Sequence, residues 1–153
     1  MKQIDTKKRK SIIEGLTGVL ADTFVLYYKT HAYHFNVEGE DFREYHLLFE
    51  DQYNELWKAV DELAERIRSL DAYAPVSLKS LLASASIKES GQNIRDARQM
   101  AKDLADDHED LSQSITKVIN LADDANDLAT ADLLTKRLGD HEKTAWMLRA
   151  STK

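Results

Sequence analysis

Residues 41–70, DFREYHLLFEDQYNELWKAVDELAERIRSL, form the stretch that decides the fold. Apolar side chains recur in it at spacings of three and four, which is the period of an α-helix. The set comprises Phe42, Tyr45, Phe49, Tyr53, Leu56, Val60, Leu63 and Ile67. At about 100° per residue these positions share roughly a 100° arc, which is a good amphipathic match. The stretch therefore predicts one long amphipathic helix that packs its stripe against other helices.

Helical periodicity extends to both sides of this stretch. Four further helices are predicted, over 6–36, 77–85 with Ser77 as N-cap, 93–121 and 128–150. Breaks are expected at Gly39, 71–75, 86–91 and the acidic segment 123–127. Four long helices with short connections predict an all-α fold, a four-helix bundle with a short extra helix between helices 2 and 3.

Composition narrows the class of protein further. The 153 residues suit a single domain, 1–153, and one proline with five glycines disfavours a turn-rich all-β chain. Because there is no cysteine, disulfides and thiolate metal sites are excluded. A net charge of −6 disfavours a basic nucleic-acid binder. No apolar run is long enough to span a bilayer, and the N-terminus lacks the core of a signal peptide, so we expect a cytoplasmic protein.

Histidines and carboxylates around the second helix follow the spacing H-x11-H-x3-E-x10-D-x3-E. The five residues are His34, His46, Glu50, Asp61 and Glu65. His46 and Glu50 share a helix face, as do Asp61 and Glu65, because each pair is four residues apart. His46 and Asp61 are separated by about 22 Å along the helix, which ligands about 2 Å from one metal ion cannot bridge. One chain therefore offers a histidine half-site and a separate carboxylate half-site.

A two-fold dimer unites the halves. If two copies of the second helix cross antiparallel near Asn54, residue 46 of one chain faces about residue 62 of the other. Folding back at Gly39 brings His34 opposite His46, and both then meet Asp61 and Glu65 of the partner, with Glu50 nearby. Mixed imidazole and carboxylate ligands suit iron, manganese or zinc. None of the histidines is preceded by glutamate at i−3, which disfavours the usual intrachain di-iron site.

Each of these residues also has a structural explanation. Asp61 and Glu65 alone match a solvated helix face, and His34 or His46 alone matches a hydrogen-bonded interface histidine. His31 is expected on a helix surface. His108 and His141 are expected to serve structural roles.

At these positions the sequence resembles the Dps family of mini-ferritins. The resemblance rests on HFNVEG at 34–39, F-x3-H-x3-E at 42–50, Tyr53, DELAER at 61–66 and HEKTAWMLRA at 141–150. It implies a ferritin-like subunit and a hollow homo-dodecamer built from two-fold dimers. It also implies a ferroxidase site at each dimer interface that oxidises Fe(II) with hydrogen peroxide or dioxygen, ferric oxide storage, and protection of DNA from oxidative damage.

Residue roles carried over by position follow the same division. His34 and His46 match the family's histidine ligands, and Asp61 and Glu65 match carboxylate ligands from the partner. Glu50 stands where the family usually has an acidic ligand, often aspartate, and Phe35 stands where many members have tryptophan. Zinc or manganese is expected to compete with iron for these ligands.

Two weaker features concern iron entry and DNA. The family lines a three-fold pore with acids in the region that here holds Asp123, Asp127 and Asp132. Residues 1–10 form a short basic segment containing Lys2, Lys7, Lys8, Arg9 and Lys10, which twelve copies would present together to phosphates. The alternative reading is a DNA-compacting, nucleoid-associated structural protein with a secondary metal site. Because the segment is short and the rest of the chain is acidic, we expect DNA binding to be subordinate.

Overall fold

The computed structural model describes residues 4–93 and 96–153. Within these ranges the chain forms five helices and no strand: α1 Thr6–Asn36, α2 Phe42–Ser69, α3 Leu78–Ala83, α4 Ala97–Asp124 and α5 Leu128–Ala150. This confirms the predicted all-α bundle with a short helix between its second and third long helices. Lys2 of the basic segment and residues 94–95 of the predicted third helix lie outside the described residues. No helix in the described ranges is long and apolar enough to cross a membrane.

Two helices have bounds that differ from the prediction. The predicted third helix was to begin at 93, but α4 begins at Ala97, after its N-cap Asp96. The predicted third helix was to end at 121, but α4 continues to Asp124, so the first half of the predicted 123–127 loop is helical. Ala122 is fully buried and extends the inward stripe by one more turn, and the chain reverses at Asn126, where φ is +55°. The helix predicted over 77–85 is shorter, at Leu78–Ala83, although Ser77 caps it as expected by accepting a hydrogen bond from the Ser80 amide at 3.1 Å.

Long helices that pack side by side are antiparallel, whereas α2 and α4 run in the same direction. α1 and α2 are joined by a short turn, as are α4 and α5, whereas the segment carrying α3 runs the length of the bundle. α1 approaches α4 closely at Gly15, where an added Cβ would lie 2.7 Å from Val118 Cγ2. Glycine at this position therefore permits a close packing of α1 against α4 that alanine would disturb.

A buried ion pair ties the start of α5 to α2. Asp127 is the N-cap of α5, accepting from the Thr130 amide at 3.2 Å, and it also accepts from Arg66 Nη2 at 2.6 Å. Burial on its own raises the pKa of Asp127, but hydrogen bonds from Thr130 and Arg66 and the charge of Arg66 outweigh it and lower that pKa. Asp127 therefore stays ionised and fixes both the helix start and its contact with α2.

A second polar group lies deep between α2, α4 and α5. His108 and His141 share a hydrogen bond between their Nδ1 atoms at 2.7 Å, and Arg137 bonds to both Glu55 and His141. Burial, followed by the charge of Arg137, lowers the pKa of His108 to about 3. Burial, then the charges of His108 and Arg137, lowers the pKa of His141 as well. Both histidines are thus neutral core residues, in agreement with the structural role expected for them.

We expect Asp127→Ala to lower the free energy of unfolding by about 1–3 kcal/mol, because it removes the α5 cap and leaves Arg66 without its carboxylate. Urea unfolding at a fixed protein concentration measures this change. Asp123→Ala is the matched control, since Asp123 is exposed on the last turn of α4, and its effect should stay within about 0.5 kcal/mol. Equal effects of the two substitutions would contradict the assignment.

Acidification should destabilise the protein through the two buried histidines. Their pKa values are lowered in the folded state, so the unfolded chain binds more protons below about pH 6.5 and stability falls as pH falls toward 3. Each histidine contributes up to about 1.4 kcal/mol per pH unit. The urea midpoint should therefore drop between pH 6.5 and 5, where few carboxylates titrate. His141→Gln should reduce that slope by about half, and a flat profile in the unsubstituted protein would rule out buried neutral imidazoles.

Candidate metal centre

The turn between α1 and α2 brings two histidines face to face. Gly39 adopts φ +121°, a conformation that favours glycine, and the chain reverses there within five residues. His34 near the end of α1 and His46 in the second turn of α2 then stack, with ring centroids 3.7 Å apart and planes 20° apart. The predicted histidine half-site is therefore assembled within one chain.

Reciprocal hydrogen bonds fix the orientation of both rings. His34 Nδ1 donates to the backbone carbonyl of His46 at 2.8 Å, and His46 Nδ1 donates to the carbonyl of His34 at 2.9 Å. Because a carbonyl oxygen can only accept, each neutral ring carries its proton on Nδ1 and keeps the lone pair of Nε2 free. Backbone carbonyls hold metal-binding histidines in this tautomer. The pair therefore has the chemistry of two preorganised nitrogen ligands.

The carboxylate half-site lies further along α2. Asp61 and Glu65 are both exposed and lie on one face of the helix, about four turns beyond His46. Within the described residues, no three histidine, aspartate or glutamate side chains of one chain are grouped to hold a metal ion. The structure thus keeps the two predicted halves apart in the single chain.

Glu50 lies between the halves. It follows His46 by one helical turn and is half-buried, and its backbone carbonyl accepts a hydrogen bond from Asn54 at 2.9 Å. Its carboxylate is thus one turn from the imidazole pair on α2, and the helix carries it towards the carboxylate half-site. This position matches an additional acidic ligand close to the histidines.

Aromatic rings surround the histidine pair, and the spacing of the ligand residues does not indicate them. His31, expected on the helix surface, is half-buried and stacks on Tyr53 with centroids 3.8 Å apart, while Tyr27 Oη and His31 Nδ1 are 3.2 Å apart. The ring centroids of Trp57 and Tyr27 are 5.1 Å apart. Trp57 is 56% exposed and Phe35 is 63% exposed. The sequence does contain a signal for this cluster. Its aromatic and histidine residues are spaced by four, at 27, 31 and 35 in α1 and at 53 and 57 in α2. Exposed rings beside a half-site are typical of an interface.

The three acids predicted near an entry pore do not share one environment. Asp123 and Asp132 are exposed, the first on the last turn of α4 and the second on the first turns of α5. Asp127 differs from the prediction because its side chain is only 4% exposed and bonds to Arg66 and Thr130. Its carboxylate is committed to holding α5, so we withdraw it from the set of pore acids.

A family model and several relatives match most of this chain. The ferritin-like domain family matches residues 13–153. The DNA protection during starvation protein of Brevibacillus brevis is 37% identical over 146 residues, which cover 92% of this chain and 97% of that protein. General stress protein 20U of Bacillus subtilis is 35% identical over 141 residues, covering 92% of this chain and 97% of its own.

Two solved structures superpose closely. Antigen TpF1 from Treponema pallidum gives a TM-score of 0.95 at 32% identity and covers 99% of this chain and 97% of its own. The Dps protein from Vibrio cholerae O1, described as one of the ferritin-like diiron-carboxylate proteins, gives 0.93 at 35% identity and covers 98% and 94%. Together with the matched domain and the stacked histidine pair on the α1–α2 hairpin, these similarities show that the chain belongs to the Dps family of ferritin-like proteins.

Proposed function

We propose that the protein is a ferroxidase and iron-storage protein that takes Fe(II) as its substrate at sites shared between two subunits. The observation that carries this proposal is the locked histidine pair, whose free Nε2 atoms face away from the bonds that hold the rings. Imidazole nitrogens combined with carboxylates suit iron, and they also suit zinc and manganese, which would compete for the same positions.

In the proposed site, His34 and His46 of one subunit face Asp61 and Glu65 of its partner, and Glu50 completes the set. An antiparallel two-fold contact between copies of α2 builds two such sites at once. The exposed rings of Trp57 and Phe35 on this side of the subunit supply apolar surface for that contact. Six such dimers form the dodecamer that the family resemblance implies.

Pairing two iron ions at one site makes the oxidation safe for neighbouring molecules. Two Fe(II) ions give up one electron each, and hydrogen peroxide takes both electrons with two protons to become two molecules of water. Because both electrons arrive together, no hydroxyl radical is released. Dioxygen is the alternative oxidant. The Fe(III) produced is stored as ferric oxide inside the shell, and DNA is protected because both reactants of radical formation are consumed.

Acidic residues supply the proposed route for iron entry. Asp123 is exposed on the last turn of α4, and Asp132 is exposed on the first turns of α5. Three copies grouped around a symmetry axis would concentrate negative potential and raise the local concentration of cations. A formal net charge of −6 on every chain acts in the same direction.

Two departures from the family pattern bear on the site. Glu50 is longer by one methylene than the usual aspartate, which changes the reach of this ligand toward a second iron ion. Phe35 replaces the tryptophan found in many members, and its ring packs on His31 with centroids 4.4 Å apart. The sequence therefore provides no oxidisable aromatic side chain at position 35.

DNA compaction is the second candidate, and the N-terminal lysines argue for a subordinate role. Lys7, Lys8 and Lys10 lie in the first two turns of α1 rather than in an extended tail. Lys8 donates to the backbone carbonyl of Asp124, and Lys10 lies 3.8 Å from Glu14. Contacts of this kind hold part of the positive charge against the protein's own surface.

Removing the carboxylate half-site should abolish rapid iron oxidation. In Asp61→Ala/Glu65→Ala, the initial rate of Fe(III) absorbance after anaerobic addition of Fe(II) and hydrogen peroxide should fall at least about 10-fold, since two ligands are lost. Glu62→Ala is the matched control because Glu62 is an exposed acid on the same turn outside the ligand set. Equal rates in the unsubstituted protein, the double variant and the control would contradict the proposed ferroxidase activity.

Mixing two inactive variants tests whether the site is shared. His34→Ala/His46→Ala subunits retain carboxylates, whereas Asp61→Ala/Glu65→Ala subunits retain histidines. Each mixed dimer then contains one complete site, so random co-assembly of equal amounts should restore about a quarter of the wild-type sites. Each variant assembled alone is the control. No recovery in verified mixed assemblies would overturn the shared site and favour one within a single chain.

A further inference from the structure

The core polar layer, defined by Gln52, Glu55, His108, Arg137 and His141, lies outside the proposed iron site. Four of its members form a hydrogen-bonded chain that begins at Glu55 on the bundle surface and passes through Arg137 and His141 to His108. Gln52 belongs to the layer by position. Its residue surface is 7% exposed, yet neither end of its amide has a hydrogen-bond partner among the described residues.

Three contacts fix the relative register of α2 and α5. Arg66 meets Asp127, Glu55 meets Arg137, and the Tyr45 hydroxyl donates to the carbonyl of Ser151 at 2.7 Å, so the two helices run antiparallel. Gln52 precedes Glu55 by about one turn, and His141 follows Arg137 by about one turn. The buried amide of Gln52 is therefore at the level of the His108–His141 pair.

Arg137 determines which ring nitrogen carries the proton in each of the two histidines. A guanidinium only donates, so His141 Nε2, which is 3.1 Å from Arg137 Nη2, must accept. The proton of neutral His141 is then on Nδ1 and is donated to His108 Nδ1. The proton of neutral His108 must accordingly be on Nε2. This N–H is buried and has no acceptor among the described residues.

The core polar layer thus contains a hydrogen-bond donor at His108 Nε2, a donor at Gln52 Nε2 and an acceptor at Gln52 Oε1. None of these three atoms has a partner among the described residues. Buried polar groups are almost always hydrogen-bonded, and internal water is the usual partner where several such groups meet. A metal ion fits the donor set poorly, because the lone pair of His108 Nδ1 is already used and Arg137 places a positive charge beside His141. The unmet groups call for a neutral molecule that both accepts and donates.

We propose that each subunit binds an ordered internal water between α2 and α4, which accepts from His108 Nε2 and bonds to the amide of Gln52. This water extends the hydrogen-bonded chain from Glu55 across the bundle and back to α2. It thereby fixes the rotation of α2 about its axis at a point two residues from Glu50. The core polar layer is in this sense a positioning device for the helix that carries both halves of the proposed iron site.

Replacing Gln52 by an apolar side chain of similar length should change the melting temperature in opposite directions, depending on whether the water is bound. If the water is bound, Gln52→Met removes its partner and should lower the melting temperature by about 2–8 °C. If the layer is dry, the same substitution removes two unmet polar atoms and should raise the melting temperature. Gln113→Met is the matched control, because Gln113 is exposed on α4 and its substitution should leave the melting temperature nearly unchanged.

A high-resolution crystal structure of the full-length protein provides the second readout. We expect a density peak within about 3.2 Å of His108 Nε2 and of one end of the Gln52 amide. Direct contact between these two side chains, or the absence of any peak together with a raised melting temperature in Gln52→Met, overturns the proposal. A peak with anomalous scattering about 2.0–2.1 Å from a histidine nitrogen also overturns it, because that result identifies a metal ion.

Discussion

The fixed rise of a helix, about 1.5 Å per residue, is the constraint on which the organisation of this protein depends. α2 is one unbroken helix of 28 residues, so it holds His46 and Asp61 farther apart than a metal ion can span. The rigidity of α2 therefore makes association between subunits a condition of the proposed chemistry, and it explains why the single chain presents two incomplete halves.

Sequence periodicity predicted the helices whose inward stripe is uninterrupted and whose ends are marked. The bounds of α5 were predicted correctly because Asp127 supplies an N-cap immediately before a run of helix-forming residues. The His34–His46 pair was also predicted, since a tight turn beside Gly39 brings together positions that are equidistant from residue 40. The end of α4 was not, because acidic residues at 123–124 suit a loop and a solvated last turn equally well.

What sequence could not predict was the choice of partner between helices. Arg66 has acids nearby on its own helix, yet it bonds to Asp127 across the bundle, where burial strengthens the pair. Periodicity likewise gives His31 an outer position without indicating that Tyr53 covers it. Such pairings depend on the relative rotation of two helices, which a single helical wheel does not contain. For the same reason, the sequence did not predict the ion pair between Arg137 and Glu55.

The turn at Gly39 has a consequence for how this chain can vary. Connections between helices ordinarily tolerate insertions, because adding a residue to a surface loop costs little. Here the length of the turn sets the angular phase of α2 relative to α1, and one extra residue absorbed into the helix would rotate His46 by about 100°. The inward stripe of α2 would turn with His46, so such an insertion would cost core packing as well as the pairing of the imidazoles. The connection between α1 and α2 is therefore one whose length selection is expected to guard.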